Sequence, residues 1–246
     1  MFTFFHRKKR VTVDCFTCIP AVHEYTPIVR ASKTIPDWWK NLPKVGPLKR
    51  DDDGIFQLDN NMRRCYGFLE LYKRGAIIES WTDAHFEIAP DTYRFHVTIG
   101  DKPTWHLKEQ FKGGFDNYHH IKLMSPWHFR EKSGMPFLFM GAEWSIEFPF
   151  KVLPGVVEYQ NVSGTHINMM APKYTDPYEM TIKLGQPLVH VIPLQDDVHV
   201  DFKSHLLTKP EFDKVTLHGG ISYDGLRGMV GMRKRNAERK CPFGFG

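Results

Sequence analysis

Seventeen prolines and nineteen glycines cut this chain into short pieces, and that punctuation limits what it can fold into. Pro103, Gly113-Gly114, Ser125-Pro126, Ser133-Gly134, Pro149, Pro154-Gly155, Pro172, Pro177 and Pro193 recur too closely for long helices to stand between them. The pieces in between alternate apolar and polar residues. Val11 to Cys15 does so, and Tyr93 to Ile99 puts Tyr93, Phe95, Val97 and Ile99 on one face. Trp144 to Phe148, Met180 to Ile182 and Val198 to Phe202 repeat the pattern. Period two with regular turn signals predicts a mainly β protein, an antiparallel β-sandwich or barrel with one or two short helices.

Helix is expected in two places. Pro36 to Leu42 reads as one or two turns, opened by a proline and stopped before Pro43. From Asn61 to Arg74, Met62, Cys65, Phe68, Leu69 and Tyr72 fall at helical spacing, with Asn61 to cap the start and Gly75 to end it. Lys49 to Gly54 reads as a hairpin turn closed by Asp-Gly. The organisation expected is a basic arm over 1–10, a β-rich domain over 11–205, and a C-terminal extension over 206–246. Gly225, Gly228 and Gly231 make the end of that extension a glycine-rich basic arm.

Charge sits at the ends. Of the formal net charge of +5, Arg7, Lys8, Lys9 and Arg10 carry +4. Arg233, Lys234, Arg235, Arg239 and Lys240, offset by Glu238, carry another +4. Residues 11–232 are left at −3. Such ends meet nucleic acid or acidic protein neighbours, or more often stand as solvated termini. No apolar run approaches the ~20 residues of a membrane span, so no membrane contact is expected. The N-terminus places its charges after its apolar residues, unlike a secretory signal. Cys15, Cys18, Cys65 and Cys241 are too few and too scattered for a disulfide framework. Cys15 and Cys18 form a CxxC, but a strand pattern surrounds it and no second ligand pair follows. The reading is of small buried residues in a chain of reduced, intracellular origin.

Few residues offer chemistry. His199-Val200-Asp201 has the spacing of two iron ligands on one strand face of a jelly-roll oxygenase, although only His205 and His218 follow to complete a triad. The thirteen histidines are otherwise scattered, and His119-His120 stands outside any zinc-binding spacing. The chain carries no nucleophile elbow, phosphate loop or dinucleotide fingerprint, so no cofactor is expected. Aromatics are abundant, with six Trp, nine Tyr and nineteen Phe. Trp38-Trp39 and Ser125-Pro126-Trp127 are dense spots that suit a core, an interface or, less well, stacking on single-stranded nucleic acid. Two adjacent tryptophans on one short helix cannot both face one core. At least one of Trp38 and Trp39 is expected to meet another segment or chain.

Ile35-Pro36-Asp37-Trp38-Trp39-Lys40-Asn41-Leu42-Pro43 resembles the opening of an uncharacterised protein family of marine T4-like tailed phages and some bacteria. Arg64 to Leu69, Gly75 to Ile78, Ser125 to Trp127 and Gly185 to Pro193 are similar to its later landmarks, in order, over roughly residues 10 to 200. Glu79 and His190 depart from it, standing where that family has proline and glutamine. The resemblance implies a phage or bacterial source and no activity.

Pro154 to Glu158 and Gly185 to Pro193 also resemble two consecutive strands of the dUTPase and dCTP-deaminase β-clip. That likeness implies a trimer with Glu158 as general base. The serine-rich and glycine-rich phosphate motifs of those enzymes are missing. The function expected is therefore a virion structural or assembly protein of a tailed phage, localised in a virion or the host cytoplasm. Its partners are other virion proteins or copies of itself, met through Trp38, Trp39 and Trp127, with nucleic-acid contact through the basic ends. The alternatives are a dUTPase-like hydrolase using Glu158 and an iron oxygenase using His199 and Asp201.

Overall fold

A computed structural model describes residues 9–44, 49–50, 52–54, 56–57, 61–101, 103–105, 114–145 and 150–220. Strand β1 (Lys9–Thr17) leads into helix α1 (Pro20–Tyr25), strand β2 (Val29–Arg30) and the single turn α2 (Asp37–Lys40). The hairpin β3 (Lys49–Arg50) and β4 (Phe56–Gln57) is the one expected there, with Gly54 at φ +75° in its loop. Next come α3 (Tyr66–Tyr72), β5 (Ala76–Glu79), β6 (Ala84–Ile88), β7 (Tyr93–Val97) and β8 (Thr104–Trp105). Strands β9 (Tyr118–Leu123), β10 (His128–Arg130), β11 (Pro136–Gly141), β12 (Lys151–Val152) and β13 (Gly155–Glu158) follow. The chain continues through β14 (Ile167–Pro172), β15 (Tyr178–Ile182), β16 (Pro187–Pro193) and β17 (Val198–Leu206) to helix α4 (Lys209–Gly220).

These strands form five sheets, ordered β10-β1-β17, β13-β11-β16-β5-β2, β12-β14-β9-β8, β15-β6-β7 and β3-β4. The result is a mixed fold of several antiparallel sheets and a few short helices, and no sheet closes into a barrel. The antiparallel expectation fails at one pairing. β1 and β17 run parallel through nine residues, from Lys9 opposite Val198 to Thr17 opposite Leu206. A parallel pair needs a long crossover. Here nearly the whole domain supplies it, so no helix between consecutive strands announces it.

One core draws on four sheets. Val11, Val13 and Cys15 from β1 meet Phe86 and Ile88 from β6, Ile121 from β9, Phe137 from β11, Ile167 and Met169 from β14. In β16, Leu188 to Ile192 are all buried, as a central strand covered on both faces requires. A second, smaller cluster of Ala31, Phe68, Tyr72, Ile77 and Ala142 lies under α3.

Four local expectations need correction. The helix over 61–74 is split. A turn of 3-10 helix at Met62–Arg64, capped by Asn61 accepting from the Arg63 N–H at 2.9 Å, breaks at Cys65 before α3 starts. Gly75 does follow it, at φ +71°. A Cβ there would lie 1.9 Å from the Val191 carbonyl oxygen, so only glycine fits. The strand expected over 144–148 begins instead as a turn at 143–145. Lys9 and Arg10, assigned to an arm, are the first residues of β1. Helix α4 replaces the start of an irregular extension. The remaining arm residues, Arg7, Lys8, Arg233, Lys234, Arg235, Arg239 and Lys240, lie outside the described residues, as do Gly225, Gly228, Gly231 and Cys241.

Candidate functional site

The densest aromatic constellation is built on α2 and α3. Pro36 fixes the entry to α2 and Asp37 places a carboxylate in its first turn. That single turn sets two neighbouring indoles astride one ring. Trp39 stacks on Phe68 at 5.5 Å and 16°, while Trp38 meets the same ring edge-on at 5.6 Å and 63°. Phe68 is 2% exposed and is also touched by Tyr72 at 4.7 Å and Trp144 at 5.4 Å. Both rings touch Phe68, but only Trp39 packs into the small core cluster. Trp38 stays largely outside it and meets Trp144 of a distant segment, as expected of at least one of the pair.

Hydrogen bonds hold the group in place. Trp38 Nε1 donates to the Trp144 carbonyl at 2.9 Å, and Trp39 Nε1 to the Met62 carbonyl at 3.0 Å. The Arg63 guanidinium lies 5.3 Å from the Trp39 ring centroid and also binds the Lys40 and Leu42 carbonyls. Tyr72 Oη pairs with Ser145 Oγ at 3.2 Å. Trp38 and Trp144, with rings 6.1 Å apart, remain 40% and 44% exposed. Trp144 was hidden from sequence reading because its neighbours alternate like a strand.

Trp127 behaves differently and corrects the interface reading. It is fully buried, its Nε1 donates to the Thr26 carbonyl at 3.2 Å, and its ring lies 6.5 Å from His23. A side chain with no exposed surface in its own fold offers nothing to another chain.

His199 and Asp201 share the outer face of β17, as their spacing requires. Arg30 from β2 bridges the two side chains. Its guanidinium binds Asp201 Oδ1 and His199 Nε2, and His199 Nε2 lies 3.2 Å from the same Oδ1. Desolvation would raise the Asp201 pKa, but the Arg30 hydrogen bond and the charges of His199, Arg30 and Arg10 hold it below the ordinary carboxylate value. His205 binds Asp14 at 2.9 Å instead of joining a triad. Among the described residues no group of three or more His, Cys, Asp or Glu side chains is arranged to hold a metal ion. Beside this cluster is a cleft of about 220 Å³ lined by Arg30, Glu70, Lys73, Arg74, Asp196 and His199 among others. Its cations are paired with acids: Lys73 with Glu70, and Arg74 with Asp196.

Glu158 ends β13, where it accepts from the Asn161 side-chain amide at 2.8 Å. The two segments likened to consecutive β-clip strands are not consecutive. β14 and β15 intervene in the chain, and β11 separates β13 from β16 in the sheet. Cys15 is fully buried, which raises its thiol pKa well above the ordinary value, whereas Cys18 lies beyond the strand. Comparison with known protein families, with curated proteins and with solved structures gives no match for this chain.

Proposed function

We propose that this chain is a protein-contact module, a structural or assembly subunit of a tailed-phage virion. The observation that carries the reading is the half-exposed indole pair Trp38 and Trp144 held over the buried Phe68 ring. Large, rigid aromatic area whose conformation is fixed before binding is the usual anchor of a protein interface, because little side-chain entropy remains to be lost. The order of phage-like segments from Ile35 to Pro193 supports the virion setting. On the same reading the β10-β1-β17 sheet and the five-stranded sheet form a β-sandwich. Phe202 of β17 and Phe137 of β11, 6.4 Å apart, support that layering.

Mass spectrometry of purified particles tests the assignment, with this chain expected at a fixed ratio to the major subunits. Trp38→Ala and Trp144→Ala should each weaken incorporation by more than ~1 kcal/mol, with an unchanged circular dichroism spectrum. Particles that lack the chain altogether would remove the proposal.

A further inference from the structure

Strand β17 ends its sheet, with β1 on one side and, among the described residues, no strand on the other. The phase of the parallel ladder is fixed at its two ends. Lys9 N–H donates to the Asp197 carbonyl at 3.2 Å and Leu207 N–H to the Thr17 carbonyl at 2.9 Å. His199, Asp201, Lys203 and His205 therefore turn their backbone groups toward β1. Those of Val198, Val200, Phe202, Ser204 and Leu206 point outward, where no backbone partner meets them among the described residues. Nine residues give an edge about 30 Å long with no strand paired to it among the described residues, although Ile28 N–H reaches Ser204 Oγ at 3.3 Å and Arg30 reaches Asp201 and His199. Edges of that length are templates for another strand unless they are blocked.

The side chains select the occupant. Arg30 and His199 both approach Asp201 through Oδ1, leaving Oδ2 without a partner among the described residues. Lys203, two residues on and on the same face, is exposed and forms no ion pair among the described residues. A half-used carboxylate and an unused ammonium at this spacing complement a copy of themselves.

We infer that β17 pairs antiparallel with β17 of a second copy of this chain about a two-fold axis at Phe202. In that register Asp201 faces Lys203 of the other copy, and Lys203 faces its Asp201. Val200 faces Ser204, Val198 faces Leu206, and every outward N–H and C=O sits at a hydrogen-bonded position. Moving the axis by one residue sets Asp201 against Asp201, or Lys203 against Lys203, and like charges directly opposite are unfavourable. The complementary register is also the one that uses all nine residues. It joins two three-stranded sheets into one of six and abolishes both open edges by an isologous contact.

The inference rests on the reading of the chain as a contact module, but on different residues, so the two can fail separately. Sedimentation equilibrium of the full-length protein at micromolar concentration should give twice the 28.7 kDa chain mass. Lys203→Asp turns two attractive pairs repulsive and should weaken the dimer by about tenfold or more. Mixing it with Asp201→Lys should restore affinity as a heterodimer, since both charge pairs are then opposite in sign. Val200→Pro deletes only an outward N–H, so the monomer fold stands and the dimer is lost. Trp38→Ala leaves the dimer intact. A monomeric wild-type protein, or a dimer unmoved by both Val200→Pro and Lys203→Asp, overturns the inference.

Discussion

Phe68 has a large stability role for a residue on a seven-residue helix. Four aromatic rings rest on it, and α2 has no other buried anchor, since none of its own residues is buried. Phe68→Ala should destabilise the protein by about 3–5 kcal/mol in urea unfolding, because the indoles cannot collapse into the space without losing their hydrogen bonds. Glu131 is a second residue of this kind. It is 2% exposed and its carboxylate accepts backbone N–H groups from Ser133, from Gly134 at 2.9 Å and from Met135 at 3.0 Å. It thereby fixes the turn between β10 and β11. Glu131→Ala leaves those three N–H groups without their shared acceptor and should cost about 1–3 kcal/mol by the same measurement. Neither role was legible in sequence. The spacing marked Phe68 as a core candidate, yet nothing local distinguishes the hub of a cluster from one of its members.

At the scale of elements, α4 carries its start signal in the sequence. Glu211 supplies one half of a capping box by reaching back to Thr208. Glu211 Oε2 accepts from the Thr208 N–H at 2.9 Å and from its hydroxyl at 2.6 Å, and Pro210 sits in the first turn. The helix lays Phe212 against His128 at 5.0 Å, and His128 lies 6.1 Å from His166 and 3.1 Å from Ser163 Oγ. Burial pushes His128 down to about 4. His166 also falls to about 4, through burial first and then the charges of Lys122 and His128. His190 is lowered by burial as well, partly offset by its bond to the Arg74 carbonyl.

A histidine whose folded pKa is depressed takes up its proton more readily in the unfolded chain. The unfolded state thus binds more protons between pH 6.5 and about 4, and folding stability rises with pH across that window. It is fully present above pH 6.5 and drains away on acidification. The melting temperature should therefore fall steadily from pH 7 to pH 5, and His128→Phe should make that fall shallower. An unchanged melting temperature over the range would show that these imidazoles stay accessible to protons in the fold.

For the whole molecule, the fold closes by pairing its first described strand with its last. The parallel β1/β17 pair brings Lys9 beside Val198, so unfolding either strand exposes the core that their sheet shares with three others. The same closure creates the open β17 edge. The architecture that completes the monomer sets up the six-stranded dimer sheet, and the sedimentation measurements report on both.

Several features were fixed by residues close together in the chain. The alternation of β1 and β7, the Asp-Gly hairpin, the Asn61 cap and the glycine after α3 all follow from backbone geometry and short-range sterics. Tertiary structure decided the rest. It buried Trp127 while leaving Trp38 and Trp144 half open, put Arg30 on the His199 and Asp201 pair, and ran β17 parallel to β1. Periodicity shows that a strand or helix has a face to cover. Which distant segment covers it depends on volume, charge and chain closure summed over the whole domain.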